Sequence, residues 1–121
     1  MRVANPIGQK GEDLAVAHLQ KNGYKIIERN FRKGYGEIDI VALHKNILVF
    51  IEVKTRTSSQ FGTPLEAITP WKLRTLIKTA QFYKLVHPKL PESLRIDAVS
   101  VILTSFEDLE AIEIVKNISG W

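Results

Sequence analysis

Three residues in the middle of the chain have the types and the spacing for metal-dependent chemistry on phosphate. Asp39 is followed after twelve residues by Glu52, and Lys54 comes two positions later. Carboxylates are ligands that Mg²⁺ prefers, completed by water and by phosphate oxygens of a substrate. A lysine beside them stabilises negative charge on phosphoryl oxygens. The trio therefore predicts phosphodiester chemistry, provided that the fold brings the three side chains together.

The sequence around these residues predicts a β-hairpin. Residues 47–54 alternate strictly between two faces, as a half-buried strand does. Ile47, Val49, Ile51 and Val53 share one face, and Leu48, Phe50, Glu52 and Lys54 share the other; in the preceding strand Ile38, Ile40 and Ala42 oppose Glu37, Asp39, Val41 and Leu43. Lys45 and Asn46 form the predicted turn, because Asn46 tolerates the positive φ of a tight hairpin.

The register of this hairpin makes the acidic pair informative. A two-residue turn places Asp39 opposite Glu52 and Glu37 opposite Lys54, with Cβ atoms of opposed residues about 4.5–5.5 Å apart. Two carboxylates at that distance repel each other. A divalent cation would offset the repulsion, and so would a purely structural network of ion pairs with Lys54 and Arg56. A three-residue turn would shift the register by one residue and turn Asp39 away from Glu52.

Around the hairpin the sequence predicts two helices and three further strands. Cap-and-proline signals open both helices, at Asn5-Pro6 and at Thr69-Pro70. The predicted elements are a helix to about Lys21, a strand over 24–31, the hairpin over 36–56, a helix over 70–86, a strand over 94–103 buried on both faces, and a last strand over 112–115. The order αβββαββ predicts an α/β fold, a mixed sheet of about five strands flanked by helices, in a single domain over residues 1–121.

The spacing of Asp39 and Glu52-x-Lys54 resembles the active-site signature of the restriction-endonuclease-like superfamily, the PD-(D/E)XK nucleases. Ile38 stands where the proline of that name would be. A wider set of residues resembles the YraN family of small bacterial proteins over nearly the whole chain. That set comprises Gly8, Gly11, Glu12, Ala15, Leu19, Asn30, Phe31, Gly36, Glu37, Ile38, Asp39, Glu52, Val53, Lys54, Thr55, Arg56, Arg95 and Asp97.

The first half of the chain is also similar to archaeal Holliday-junction resolvases, which place a helix glutamate, then Asp, then Glu-x-Lys in this order. These resemblances imply a restriction-endonuclease-like sheet, Mg²⁺ or Mn²⁺ held by Asp39 and Glu52, and Glu12 aimed at the metal site from the first helix. They imply DNA as the substrate, including branched or junction DNA in repair or recombination. Junction cleavage needs two active sites, which makes a homodimer an expectation.

Glu12 has two interpretations from the sequence alone. It lies at the edge of the apolar stripe of the first helix, so it is not plainly in solvent. A glutamate in the first turns of a helix is also favoured by the helix dipole without any further role. The hypothesis of a catalytic or metal-binding Glu12 therefore depends on the nuclease resemblance.

Four basic residues are candidates for contact with nucleic acid. Arg32 and Lys33 fall in a predicted glycine-rich turn, Arg56 opens a polar segment that runs to residue 62, and Lys72 lies on the basic face of the second helix. Each also fits an ordinary solvated surface position. Arg95 and Asp97 share one face of a strand, and we favour a structural ion pair over a role at the active site.

The composition is compatible with these hypotheses. The net charge is +4 with 17 basic and 13 acidic residues, as expected for a partner of nucleic acid. The absence of cysteine excludes disulfides and thiolate metal sites, and favours a cytoplasmic location. No apolar run reaches membrane-spanning length. The alternative to a nuclease is a binding module for nucleic acid or protein that keeps a nuclease-like fold without cutting.

Overall fold

The computed structural model describes residues 5–34, 36–58 and 64–120. Their helices and strands follow the predicted order. They are α1 (Pro6–Lys21), β1 (Lys25–Lys33), β2 (Gly36–His44), β3 (Ile47–Thr57), a short 3₁₀ helix (Pro64–Ala67), α2 (Pro70–Val86), β4 (Leu94–Leu103) and β5 (Leu109–Val115). The predicted α/β architecture is confirmed.

Both helices begin where the sequence predicts. The Asn5 side chain accepts hydrogen bonds from the backbone N–H groups of Ile7 and Gly8, at 3.1 and 3.2 Å, with Pro6 as the first helical residue. Thr69 Oγ1 accepts from the Lys72 N–H at 3.1 Å at the start of α2. These caps satisfy N–H groups that have no partner within the helix, so the two starts are fixed locally.

The five strands form one sheet in the order β1-β2-β3-β4-β5. All neighbours are antiparallel except β3 and β4, which are parallel because α2 carries the chain back between them. Lys45 and Asn46 form the two-residue turn, with φ of 50° and 62°. His44 pairs with Ile47, and the predicted register continues as far as Ile40 with Ile51.

Each helix covers one face of the sheet. The face under α1 buries an apolar cluster made by Ala15, Leu19, Tyr24, Ile40, Ala42, Val49, Ile51, Val99, Val101 and Leu103. The face under α2 buries Ile38, Val41, Leu48, Phe50, Leu76, Ala80, Tyr83 and Ile96. Strands β3 and β4 contribute to both clusters, which confirms that β4 is covered on both sides.

Three strands are longer than predicted. Strand β1 runs to Lys33, since Arg32 pairs with Glu37 and Lys33 with Gly36, so the two basic residues belong to the strand and not to a turn. Strand β3 runs to Thr57, one residue beyond the predicted hairpin, and β5 begins at Leu109 and not at residue 112. Residues 59–62 of the predicted polar segment lie outside the described residues. Solvent-exposed strand ends carry polar side chains, as loops do, so their sequence does not distinguish them from loops. Backbone pairing with the neighbouring strand keeps these residues in the sheet.

No helix among the described residues is long and apolar enough to cross a membrane.

Candidate active site

Asp39 and Glu52 meet where β2 and β3 separate. The backbone pairing of these strands ends at Ile40 and Ile51. One step further along, Asp39 Oδ2 accepts a hydrogen bond from the Val53 N–H at 2.8 Å, so a side chain takes the place of a strand carbonyl. The Glu52 carboxyl group lies close enough to raise the pKa of Asp39. The predicted acidic pair is therefore formed, by side chains at the point where the ladder opens.

The backbone of β1 is irregular opposite this step. In the pairing of β1 with β2, Arg29 faces Ile40 and Phe31 faces Ile38 in one register, while the register shift of this pair lies earlier, between Ile26 and Glu28. Asn30 there has a φ of 57°, in the left-handed region. Ile38 packs in the cluster under α2 whereas Ile40 packs under α1. The prediction that Ile38 and Ile40 share a face is therefore wrong, because the alternation of β2 breaks at Asp39.

Burial makes the acidic pair costly. Glu52 is 4% exposed and Asp39 is 9% exposed. Burial first, and then the adjacent Glu52 carboxylate, raise the pKa of Asp39 to about 8. Lys72 Nζ lies 3.2 Å from Glu52 Oε2 as an ion pair, but that oxygen accepts no hydrogen bond from any described residue. The site thus holds a carboxylate oxygen that is buried and has unused capacity to accept.

Lys54 and Glu12 approach Asp39 across a cavity of about 240 Å³. The cavity is lined by Asn5, Ile7, Gly8, Glu12, Asp39, Val53, Lys54 and Thr55. Helix α1 comes close to β3 here because residue 11 is glycine: a β-carbon at that position would overlap the Thr55 side chain. The close approach brings the first turns of α1, with Glu12, to the same opening as Asp39 and Lys54.

Glu12 is buried, at 4% exposed, and is held by neighbours that the sequence did not indicate. Arg29 Nε donates to Glu12 Oε1 at 2.9 Å, and Asn30 Nδ2 lies 3.3 Å from the same oxygen. A second Arg29 nitrogen donates to Asp13 at 2.8 Å. No three acidic or histidine side chains of the described ranges lie close enough to hold a metal together, so Glu12 borders the cavity without joining Asp39 and Glu52 as a third direct ligand.

The four basic candidates separate into two groups. Lys33 and Lys72 border a second cavity of about 570 Å³ on the α2 side. Arg32 instead lies 3.6 Å from Glu37 in an ion pair, and Arg56 belongs to β3 beyond Lys54. Trp71, which sequence reasoning passed over, also lines the second cavity. The sequence feature that could have identified Trp71 is an aromatic residue among the basic residues of α2.

The Arg95–Asp97 ion pair is confirmed, with Arg95 Nε donating to Asp97 Oδ1 at 2.8 Å. His44 joins it: its Nδ1 lies 2.9 Å from an Arg95 nitrogen, and its ring stacks on Tyr24 at 4.1 Å. His44 is buried in this group at the end of β2.

Fold and site together define an α/β protein whose five-stranded mixed sheet opens over a buried pair of carboxylates. Residues 11–101 match the group described as Uncharacterised protein family UPF0102, and the chain belongs to that family. A UPF0102 protein of Clostridium botulinum strain Hall is 46% identical over 114 residues, which cover 92% of this chain and 91% of that protein.

Other members of the family are similar over most of their length. A UPF0102 protein of Syntrophomonas wolfei is 45% identical over 97 residues, covering 80% of this chain and 84% of its own. One from Caldanaerobacter subterraneus is 43% identical over 114 residues, covering 83% and 93%. The family match over residues 11–101 runs from within α1 to within β4.

Proposed function

We propose that the protein is a metal-dependent nuclease that hydrolyses phosphodiester bonds of DNA. The observation that carries the proposal is the buried pair Asp39 and Glu52, in which one Glu52 oxygen accepts no hydrogen bond from the described residues. Buried polar groups are nearly always satisfied, and exceptions deserve an explanation. A divalent cation gives one, because it would take that oxygen as a ligand and remove the repulsion between the carboxylates.

The residues present fit Mg²⁺ or Mn²⁺. Mg²⁺ is commonly bound by one or two carboxylates, with water and substrate phosphate completing its shell. Asp39 and Glu52 would hold the ion, with the Val53 carbonyl as a further oxygen, while Glu12 would act through water from α1. A bound ion of this kind polarises a phosphate and lowers the pKa of water.

The remaining groups of the site have roles that follow from their positions. Lys54 borders the cavity that Asp39 and Glu12 share, where its ammonium would stabilise negative charge on the phosphoryl oxygens. Arg29 and Asn30 fix the Glu12 carboxylate, which keeps it oriented at the cavity. Lys72 supplies positive charge to Glu52 while no cation is bound.

The resemblance to the PD-(D/E)XK nucleases and the YraN family supports the same proposal. Glu12, Asp39, Glu52 and Lys54 border one region of the fold, in the order in which the resolvases carry their acids and lysine. Branched DNA is accordingly a substrate to include in the test, and a homodimer is the assembly that junction cleavage would require.

The proposal is tested with purified protein on labelled four-way junction, flap, single-stranded and duplex DNA, with Mg²⁺ or Mn²⁺. We expect Glu52→Gln and Asp39→Asn each to reduce cleavage by about 100-fold or more, as loss of a group that stabilises transition-state charge does. Glu110→Gln is the matched control, since it removes an exposed carboxylate from β5. Cleavage that survives both site variants would overturn the proposal.

A second candidate function is a binding module on the same fold. The Lys72–Glu52 ion pair favours it, because an internal cation already offsets part of the negative charge. DNA binding without cleavage under any metal, unchanged by Glu52→Gln, would support this second function over the first.

A further inference from the structure

The second cavity lies beside the acidic pair on the α2 side of the sheet, whereas the first cavity lies on the α1 side. It has no role in the chemistry described above. Its volume of about 570 Å³ falls within the range of ligand sites. Trp71, Lys72, Thr75 and Lys78 form its helix wall, and Lys33 forms part of its strand wall. None of the described residues that line it is acidic.

Trp71 is the unusual member of this lining. It is 72% exposed at the second residue of α2, although large aromatic rings are normally buried. The Arg74 guanidinium lies over the ring, 5.8 Å from its centroid, and is not part of the cavity lining, so one face of the indole has a cation over it while Trp71 also borders the cavity. An exposed indole surrounded by lysines presents a flat apolar surface within positive charge.

That combination matches one nucleotide of a single strand. Proteins bind single-stranded nucleic acid by stacking bases on aromatic side chains while basic groups follow the phosphates. A base in the interior of a duplex has both faces covered by its neighbours, so it offers no free face to Trp71 unless it is unpaired or extruded.

Lys72 connects this cavity to the acidic pair. It lines the cavity, and its Nζ lies 3.2 Å from Glu52 Oε2. A nucleotide in the cavity would therefore be next to the one whose phosphate lies at Asp39 and Glu52.

We propose that the Trp71 cavity binds an unpaired nucleotide of DNA adjacent to the scissile phosphodiester, with its base stacked on Trp71 and its phosphate at Lys33 and Lys78. The position next to the scissile bond rests on the proposed nuclease function. The substrate class that follows is DNA with a single-stranded segment at the cut, such as an overhang, a flap or a gap. Fully paired duplex is not in this class.

Binding is tested first, without divalent metal, so that no cleavage is needed. Fluorescence anisotropy compares a labelled single strand, the same strand with one abasic site at successive positions, and a blunt duplex. We expect Trp71→Ala to weaken single-strand binding by about 10-fold or more, the size of one lost stacked base. Trp71→Phe should recover most of that loss, and duplex binding should not change.

The controls separate stacking from a general loss of fold or charge. Phe106→Ala removes another exposed aromatic, 86% exposed in the turn between β4 and β5, and should leave binding unchanged. One abasic position should abolish the difference between wild type and Trp71→Ala. Equal loss on single strand and duplex, or no loss on either, would overturn the inference.

Cleavage then distinguishes the two proposals. With Mg²⁺ or Mn²⁺, Trp71→Ala should raise KM for overhang DNA while Glu52→Gln abolishes turnover. A wild-type protein that cuts nothing yet shows the Trp71-dependent binding would refute the nuclease alone. A protein that cuts overhang and duplex DNA equally well, with or without Trp71, would refute only the cavity's role.

Discussion

Strands β2 and β4 flank β3, and each buries an aspartate. The two aspartates differ in the number and the charge of their hydrogen-bond and ion-pair partners. Asp97 on β4 has no exposed surface. It accepts hydrogen bonds from the Tyr24 hydroxyl at 2.7 Å, from two Arg95 nitrogens at 2.8 and 3.0 Å, and from the Asn117 N–H at 2.9 Å. An arginine and two neutral donors thus satisfy this carboxylate from several directions.

Asp39 on β2 has a poorer set of partners. It accepts one backbone hydrogen bond, from Val53, and its other close polar neighbour is a second carboxylate, Glu52. Lys72, whose charge lowers the pKa of Asp39, forms its ion pair with Glu52 and is partly exposed. A buried carboxylate whose hydrogen-bonding capacity is satisfied stabilises the fold. A buried pair of carboxylates with unsatisfied capacity is instead a candidate binding site for an external ligand such as a cation.

The largest expected effect tests the set of partners around Asp97. Arg95→Met should lower the free energy of unfolding by about 3–5 kcal/mol, because it leaves Asp97 buried without its cation. Urea denaturation followed by circular dichroism measures the change. Asp39→Asn should not destabilise the metal-free protein at pH 8, since it removes a repulsion. Equal destabilisation by both variants would erase the distinction between the two aspartates.

The second effect is a dependence of stability on pH that belongs to Asp39. The pKa of Asp39 is about 8 in the folded protein, above its ordinary value of 3.8, so the folded state binds more protons than the unfolded state between these values. Stability of the metal-free protein should therefore fall as pH rises through this window, by about 1.4 kcal/mol for each unit of pH fully within it.

His44 contributes in the opposite direction at lower pH. Burial first, and then Arg95, lower the pKa of His44 from 6.5, so its contribution increases with pH and is complete above that value. Unfolding measured between pH 6.5 and 8 therefore isolates Asp39. The slope should be absent in Asp39→Asn, and a slope that persists in that variant would assign it to another group.

The third effect is stabilisation by metal at the incomplete site. At pH 8, Mg²⁺ or Mn²⁺ at 100 times its Kd should stabilise the wild type by about 2.7 kcal/mol, measured as a rise in Tm. Binding should weaken as pH falls, because the ion competes with the proton on Asp39. Glu52→Gln should lose the shift while Glu110→Gln keeps it. A shift that is the same in all three proteins would place the metal elsewhere.

The sequence predicted the parts of this site that depend on local pattern. The alternation of residues 47–54 and the tight turn at Lys45 and Asn46 were enough to give the register of the hairpin as far as Ile40 with Ile51, one step before the acidic pair. The cap-and-proline signals gave both helix starts.

What the sequence did not predict depends on contacts between distant residues. The break in alternation at Asp39 arises because its carboxylate bonds to Val53 across the opening strands. Arg29 holds Glu12 from another element, and no local pattern links those two positions. Trp71 stands out only when exposure is known, since an aromatic near a helix start is usually part of a core.

The smallest expected effect concerns Lys72, which forms an ion pair with Glu52 beside Asp39. Its side chain is 38% exposed, so solvent screens the ion pair with Glu52, and Lys72→Gln should change stability by less than about 1 kcal/mol. Mg²⁺ should nevertheless bind several-fold more tightly, because a competing positive charge beside Glu52 is gone. Isothermal titration without DNA measures the affinity.

Lys78→Gln is the matched control, since it removes the same charge further along α2 from a residue that lines the cavity without pairing Glu52. Weaker Mg²⁺ binding in Lys72→Gln would mean that Lys72 orients Glu52 for the ion and does not substitute for it.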